Sequence, residues 1–367
     1  MTEISDQRSA FTNQRAEINR RDTECVELFL CALSASVVKS ISDLRVLISG
    51  LCALLLALSF PAEAQRPAKI PRIGYFTLSG GPSDRDEAFK QGLRELGWVD
   101  GQNIMIEYRW VAGKMEQLTA VADELVRLKV DVIFATSAPV IQAAKNATNT
   151  IPIVMPAASD PVASGFIASL ARPGGNITGM SAMILELEGK RLELLREVAP
   201  RVGRVAFLTY GTDLTVRRGV KEARDAGQRL GIRIQPLRIG DPKELEGAFS
   251  AMVKERAGAV AIQPLLITSI GQGRRIAEFA ARNRLPTVSD SKDFLDVGGL
   301  LSYGSDRLAL WRRAAWYVDK ILKGANPAEL PVEQPMKFEF IINLKAAKQI
   351  GLTIPPNVLA RADRVIK

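Results

Sequence analysis

The chain has 367 residues, a formal net charge of +9, 47% hydrophobic and 24% charged residues, a composition typical of a soluble globular protein long enough for two domains. It contains no histidine, and its cysteines lie only at positions 25, 31 and 52. The absence of histidine excludes Ser-His-Asp and Cys-His catalysis. After residue 52 only carboxylates remain for a zinc site, so an enzyme would depend on carboxylates or lysine.

The first 64 residues are predicted to be a leader that is removed. Arg45 precedes a stretch without charges, residues 46–60, and Ala62 and Ala64 have the spacing of a signal-peptidase site. The pattern predicts cleavage after Ala64 and export, which in a Gram-negative host means the periplasm. The alternative is an uncleaved anchor, for which the stretch is short against ~30 Å of hydrocarbon. Residues 1–44 are either the product of a start placed too early or a genuine extension.

Short apolar runs alternate with amphipathic helices in the chain that follows. The pattern predicts strands at 73–76, 103–111, 131–136 and 151–155, and helices at 86–97, 115–129 and 140–146. This alternation is typical of a parallel sheet with helices on both faces. Residues 158–166 and 169–181 are rich in Gly, Pro, Ser and Asn, and we interpret them as a connection that leaves the first lobe.

The alternation then restarts with a helix at 187–200. Strands are predicted at 204–210, 232–239, 258–266 and 285–290, with helices at 216–231, 243–256 and 271–284. After GGLLSYGSD come a helix at 308–324, a strand at 337–343 and a helix at 344–351. We therefore predict an α/β protein of two doubly wound parallel-sheet lobes joined by a hinge of crossing segments. Lobe 1 would hold residues 65–185 and about 305–330, and lobe 2 residues 186–304 and about 331–367.

Polar side chains follow seven predicted strands, where ligands bind in open parallel sheets. The segments are TLSGGPSD, ATSAP, PAASDP, TYGTD, QPLLIT, SDSKD and SYGSD. The predicted ligand-binding residues are Ser79, Gly80, Thr136, Ser137, Ser159, Asp160, Tyr210, Gln263, Asp290 and Tyr303. Their alternative roles are helix N-caps for Ser, Thr and Asp, and packing between the lobes for the tyrosines.

The chemistry of these residues predicts a small zwitterionic or anionic ligand. Thr136 and Ser137 stand at the start of a helix, where hydroxyls and free N–H groups suit a carboxylate. Asp160 or Asp290 could pair with an ammonium group, and Tyr210 and Tyr303 could stack on a flat side chain.

Several other ligand classes find no support in the sequence. It has no GxxxxGK[ST] loop and no GxGxxG after a strand, so no nucleotide cofactor is predicted, and no metal site is predicted either. The basic residues are interspersed with acids, as in KRLELLREVAPRVGR, which predicts solvated helix faces and no nucleic-acid partner.

Several long stretches resemble one protein family. RIGYF, DPVASGFIASLARPGGNITG, GKRLELLREVAP and PVEQPMKFEFIINLKAAK are similar to the ABC-transporter substrate-binding proteins whose better-known members are labelled tryptophan/tyrosine-binding. The resemblance runs from Lys69 to the C-terminus. It implies the type I periplasmic binding protein fold, capture of a small solute between two lobes, and delivery to a membrane permease driven by an ATPase.

By position, the family's pocket-lining loops fall on 78–83, 136–139, 159–161, 210–213, 263–264 and 289–291. This chain has Thr136-Ser137-Ala138-Pro139 where many relatives have Gly-Thr-Pro. The resemblance therefore implies the scaffold and the role, without fixing the ligand.

Three other functions compete with solute import. A ligand sensor that docks on a membrane receptor would need the same residues. A transcription regulator would need an N-terminal helix-turn-helix, for which residues 1–44 show no pattern. An enzyme would need two facing acids, for which Asp160 and Asp290 are the candidates. The preferred prediction is a monomeric, non-enzymatic binding protein with a small-molecule ligand and an ABC permease as partners.

Overall fold

The computed structural model describes residues 70–211, 214–268 and 270–367, and the segment 70–367 forms one compact unit. The predicted leader and its cleavage after Ala64 lie outside the described residues, as do Thr212 and Asp213 of the fourth predicted loop. Within the described part of the chain, no helix is both long and apolar enough to cross a membrane.

Strands and helices alternate through most of this unit. The strands are β1 (Arg72–Thr77), β2 (Met105–Trp110), β3 (Val132–Ala135), β4 (Ile153–Ala158), β5 (Ile177–Ser181), β6 (Arg204–Tyr210), β7 (Arg233–Ile239), β8 (Ala259–Ile262), β9 (Thr287–Ser289), β10 (Leu301–Ser305), β11 (Phe338–Asn343) and β12 (Arg364–Ile366). The α-helices are α1 (Asp84–Glu95), α2 (Leu118–Arg127), α3 (Ala138–Ala147), α4 (Glu188–Val198), α5 (Leu214–Leu230), α6 (Leu245–Lys254), α7 (Pro264–Thr268), α8 (Gly273–Arg282), α9 (Asp293–Asp296), α10 (Arg307–Leu322), α11 (Leu344–Gln349) and α12 (Pro356–Leu359). Short 3₁₀ helices occur at Met115–Gln117, Pro242–Glu244 and Pro327–Glu329.

Lobe 1 is built on a parallel sheet with the strand order β2-β1-β3-β4-β5. Its central strand β3 reads VIFA and is buried along its whole length, because helices cover both faces of the sheet. Helices α1 and α10 pack on one face, and α2 and α3 on the other. Helix α10 returns from the far end of the sequence, and Trp311 on it donates a hydrogen bond to the hydroxyl of Tyr75 on β1 at 3.1 Å.

Lobe 2 is built on a second sheet with the strand order β12-β11-β10-β9-β8-β6-β7. Helices α4 and α5 cover one face, and α6 and α8 cover the other. Strands β6 to β10 run parallel to one another, whereas β11 pairs antiparallel with β10. The predicted α/β class with two parallel-dominated sheets is therefore confirmed, with β11 and β12 running in the opposite direction at one edge.

Three segments of the chain cross between the two sheets, after β5, after β10 and before β11. The third crossing is bonded to β5, from which the first crossing departs, because Glu333 N donates to Gly179 O at 3.1 Å and Ser181 N donates to Glu333 O at 2.8 Å. The guanidinium group of Arg191 on α4 donates to the carbonyl of Ile184 in the first crossing and to that of Tyr303 on β10. Hydrogen bonds thus connect the third crossing to β5, and connect the first crossing through Arg191 to β10.

The structure differs from the sequence predictions at several places. The strand predicted at 258–266 ends at Ile262, and Pro264–Thr268 form helix α7, because proline suits the first turn of a helix and cannot donate to a sheet. The composition of segment 169–181 predicts a connection only, and that prediction is wrong for Ile177–Ser181, which form β5. Helix α3 begins at Ala138, so Pro139 lies inside its first turn, where a missing N–H has no cost. Strand β12 was not predicted.

Candidate functional site

The carboxyl ends of strands from both sheets surround a cavity of about 100 Å³. A buried water needs roughly 10–15 Å³ by the same measure, so the space suits a compact solute. Residues after β1, β3 and β4 line it from lobe 1, and residues after β6 and β8 line it from lobe 2. The polar lining groups are Thr77, Ser79, Ser83, Arg85, Asp86, Thr136, Ser137, Ser159, Tyr210, Thr215, Gln263, Thr268 and Arg307.

Ser137 lies at the N-cap position of α3, with extended backbone angles of φ −151° and ψ 160°. An N-cap serine normally accepts a hydrogen bond from the first turn of its helix. Here the side chain makes no such bond, and its buried Oγ has no partner among the described residues. The hydroxyl of Ser137 therefore lines the cavity without a partner, beside the N-terminus of α3, and this combination suits a carboxylate.

Asp86 supplies the negative charge in the cavity lining. It is 3% exposed, and its Oδ2 accepts hydrogen bonds from the backbone N and the Oγ of Ser83 at 2.5 and 2.9 Å. Tyr75 is hydrogen-bonded to the same carboxylate and accepts a bond from Trp311 Nε1. Burial, together with the charge of Asp86, raises the pKa of Tyr75 well above its usual value, so the tyrosine stays a neutral donor. Asp86 is held rigidly, in a position that could attract an ammonium group.

Two arginines add positive charge at the boundary of the cavity. Arg307 Nη2 lies 2.6 Å from Asp290 Oδ2, and the two side chains are 13% and 5% exposed. Arg307 Nε and Asp290 Oδ1 are buried with no partner among the described residues. The Arg85 guanidinium lies 5.7 Å from the ring centroid of Trp311 and 3.2 Å from Asp293. Buried polar atoms without partners are rare in folded proteins, so these atoms point to bound water or solute.

Six of the ten predicted residues line this cavity: Ser79, Thr136, Ser137, Ser159, Tyr210 and Gln263. Asp290 lines a neighbouring cavity of about 270 Å³ that shares Ser83, Arg85 and Arg307 with the first. Gly80, Asp160 and Tyr303 line neither cavity.

Asp160 and Asp290, the two acids that the sequence suggests for a ligand's ammonium group, are each paired with an arginine of the protein. Asp160 Oδ2 lies 2.5 Å from Arg218 Nη1, and its Oδ1 accepts from Ala163 N at 2.9 Å. Asp290 is paired with Arg307. The two do not line a common cavity, and this arrangement does not support the two facing acids that the enzyme alternative would require. The tyrosine at 303 packs within lobe 2, with its ring centroid 6.2 Å from that of Phe338.

Sequence reasoning missed Asp86, Arg85, Arg307 and Trp311. Asp86 had a detectable signal, because it lies in the first turn of the helix that follows the first loop. Arg307 and Trp311 gave none, since α10 lies more than two hundred residues from β1 along the chain. Across the described residues, no group of three or more His, Cys, Asp or Glu is placed to hold a metal ion.

Direct contacts join the lobes on both sides of the cavity. On one side, Ser164 Oγ and Thr215 Oγ1 are 2.9 Å apart, beside the pair of Asp160 and Arg218. On the other, Arg85 pairs with Asp293. These contacts describe a conformation in which the lobes are closed over the cavity.

Comparison with known proteins places this geometry in a family. Residues 81–366 match the sequence model of the ABC transporter substrate binding proteins. A curated relative, a tyrosine-binding protein of Clostridioides difficile, is 28% identical over 267 residues, which are 72% of this chain and 76% of the relative.

Two solved structures share the fold over 81% of this chain at 25% identity. A conserved domain protein from Vibrio cholerae aligns with a TM-score of 0.76 over 100% of its chain. An ABC domain from Streptococcus pneumonia, solved in complex with L-Trp, aligns with a TM-score of 0.75 over 99% of its chain. The family model covers most of the chain and the two-lobe architecture agrees with these neighbours, so this chain belongs to the ABC transporter substrate-binding protein family and has a type I periplasmic binding protein fold.

Proposed function

We propose that this protein is the exported solute-binding component of an ABC importer and captures a small amino-acid-like or carboxylate-bearing solute between its lobes. The observation that carries the proposal is the unpartnered Oγ of Ser137 at the N-terminus of α3, inside the cavity. Helix N-termini with an adjacent hydroxyl bind carboxylates through N–H groups and the helix dipole.

The remaining lining suits the other end of an amino acid. Asp86 offers a carboxylate for an ammonium group, and the hydroxyls of Thr136 and Ser159 in the same lining offer hydrogen bonds. Pro264, Leu265 and the ring of Tyr210 provide apolar surface for a side chain. A curated relative carries the name tyrosine-binding protein and a structural neighbour was solved with L-Trp, which supports an amino acid as the ligand class.

The proposal places the protein in the periplasm as a monomer, with a membrane permease as its partner. The leader pattern at residues 46–64 supports export. A single chain supplies both walls of the cavity, so one copy is sufficient to bind. Family membership supports the permease partner.

The binding test is a thermal-shift screen on protein refolded from denaturant to remove co-purified solute. The panel holds aromatic and other amino acids, short carboxylates, purines and sugars. A ligand at a hundred times its Kd adds about 2.7 kcal/mol to the free energy of unfolding. We expect a shift with amino acids or carboxylates, and a response confined to sugars or purines would contradict the proposal.

Once a ligand is identified, Ser137→Ala tests whether the unpartnered hydroxyl of Ser137 binds it. We expect Kd to rise at least about tenfold, because a hydrogen bond to a charged group contributes roughly 1.5–3 kcal/mol. Ser250→Ala, which removes an exposed hydroxyl on α6, is the matched control and should leave Kd unchanged. Transport is tested separately, by measuring uptake of the ligand in cells that lack the gene; unchanged uptake would favour a sensing role.

A further inference from the structure

A hollow lined by arginines lies at the end of lobe 2 that is remote from the ligand cavity. Arg201, Arg204, Arg233 and Arg256 line it together with the backbone of Gly203 and Gly258. The four arginines belong to the segments that lead into the adjacent strands β6, β7 and β8. The cavity lies at the opposite, carboxyl ends of these strands, about 20 Å away along the seven residues of β6.

Most of the charge in this hollow is not neutralised by the protein. Arg204 Nη1 pairs with Glu255 Oε2 at 2.5 Å. The guanidinium groups of Arg201, Arg233 and Arg256 have no hydrogen bond or ion pair within the described part of the chain, and all three residues are exposed. Like charges brought together without counter-ions raise the local potential, which favours a multivalent anion.

The backbone holds the arginines close together. Arg204 and Arg233 are register partners in the β6–β7 pair, and Arg233 N donates to Gly203 O at 2.9 Å. Gly258 N donates to Arg204 O at 2.9 Å, which fixes the segment carrying Arg256 beside β6. Because neighbouring strands lie about 4.8 Å apart, the row spans roughly 10 Å, more than one phosphate group can contact.

We propose that this hollow binds the phosphate groups of anionic membrane lipids. Arginine pairs with phosphate through two parallel N–H groups, and a row of arginines matches a row of headgroups better than a single free ion. Val253, whose carbonyl accepts a hydrogen bond from Arg256 N, is 58% exposed and adds an apolar side chain at the same surface. We choose lipid as the source of phosphate because this inference rests on the proposed function, in which the protein is exported to the compartment that faces the permease. Binding to that membrane would hold the protein near the permease.

The test is co-sedimentation of the compact unit 70–367 with vesicles of phosphatidylglycerol and phosphatidylcholine, at low and at high salt. The test variant combines Arg201→Gln, Arg233→Gln and Arg256→Gln. The matched control combines Arg217→Gln, Arg224→Gln and Lys345→Gln, which removes the same charge from exposed positions of lobe 2 outside the hollow. Circular dichroism verifies that both variants are folded.

We expect the wild type to bind the anionic vesicles at low salt and to bind pure phosphatidylcholine vesicles weakly. The test variant should lose about a hundredfold in partitioning, since each arginine near an anionic surface contributes about fivefold. The control should lose much less. Equal losses in the two variants would show a general charge effect and overturn the site.

Binding of soluble pyrophosphate distinguishes a site for free phosphate anions from a site for lipid phosphates. Saturable binding of pyrophosphate that the test variant abolishes, without vesicle binding by the wild type, would mean a free-anion site and overturn the lipid assignment. The solute screen of the proposed function uses the opposite edge of the sheet, so failure of either experiment leaves the other standing.

Discussion

At the scale of single residues, we expect the hydroxyl of Ser137 to contribute to ligand binding and to contribute little to the stability of the fold. N-cap serines usually stabilise a protein by about 1 kcal/mol, but this one makes no capping bond. Ser137→Ala should therefore change the free energy of unfolding by less than about 0.5 kcal/mol, whereas Asp306→Ala should lower it by about 1 kcal/mol, because Asp306 accepts from Leu308 N and Ala309 N. Urea denaturation of the unliganded variants measures both values. A loss in Ser137→Ala as large as that in Asp306→Ala would mean that its Oγ serves as a cap.

The binding roles of individual residues could be predicted from the sequence only in part. Residues directly after a strand, such as Thr136 and Gln263, could be placed because parallel strands bring their carboxyl ends to one edge. The role of an acidic side chain could not be predicted, because it depends on which positively charged side chain lies nearest in the folded protein. The sequence favours Asp160 as a partner for an ammonium group of the ligand. In the structure its Oδ2 lies 2.5 Å from Nη1 of Arg218, which belongs to the other lobe. That pairing is tertiary and leaves no signal in the local sequence.

At the scale of elements, the contact between α1 and α10 depends on a glycine. A Cβ at Gly92 would lie 2.4 Å from the carbonyl O of Arg312 and 2.8 Å from the Cβ of Ala315, so the helices would have to move apart. Gly92→Ala should lower the free energy of unfolding by about 2 kcal/mol, in the range of overpacked cores.

Gly247→Ala is the matched control on α6. A Cβ there meets no atom within 4 Å, so the substitution should raise stability by about 0.5–1 kcal/mol through the lower entropy of the unfolded chain. Thermal unfolding of the two variants is compared with the wild type. A neutral Gly92→Ala would mean that the helices are not closely packed.

The hinge contains an ion pair whose contribution depends on pH. Arg313 on α10 donates two hydrogen bonds to Glu333, at 2.9 and 2.6 Å, and this holds the pKa of Glu333 below its usual value. A lowered carboxyl pKa stabilises the folded state above the unfolded-state pKa of about 4.3, and the stabilisation is lost as the pH falls through the folded-state pKa. Because the pair is partly exposed, we expect at most about 1 kcal/mol.

Glu333→Gln measures this dependence. The difference in unfolding free energy between wild type and variant should be present at neutral pH and should shrink on acidification below the usual glutamate pKa. A difference that grows on acidification would have the wrong sign and refute the assignment.

Elements differed in how well the sequence predicted them. Long periodic segments such as α5 and α10 were predictable because an apolar face repeats along them. Strand β5 was not, because its sequence ITGMS resembles a loop. Gly179 has φ +132°, and a Cβ there would lie 2.1 Å from Met155 O, so this strand needs its glycine to approach β4. A residue that usually signals a turn is here required by strand pairing.

At the scale of the whole molecule, the closed arrangement of the lobes is stabilised in part by ion pairs across the cleft. The double variant Asp293→Asn/Arg218→Gln removes one partner from the pair on each side while leaving the cavity lining intact. Each exposed pair contributes about 0.2–1 kcal/mol, so we expect the radius of gyration of the unliganded protein to rise and ligand affinity to fall by roughly fivefold. X-ray scattering in solution and ligand titration measure the two effects.

Arg361→Gln is the control, because Arg361 pairs with Glu197 inside lobe 2. It should change neither quantity. If the double variant scatters like this control, the pairs across the cleft do not hold the lobes together.

The return of α10 to lobe 1 has a consequence for the order of events during synthesis. The bond between Trp311 and Tyr75 joins residues 236 positions apart, and the core of lobe 1 includes seven side chains from α10. At 5–20 residues per second, a ribosome needs roughly 10–50 s to make the intervening chain. Throughout that interval lobe 1 lacks one of the two helices that cover one face of its sheet. Lobe 1 therefore cannot complete its core until α10 has been made, which suits the export that we propose.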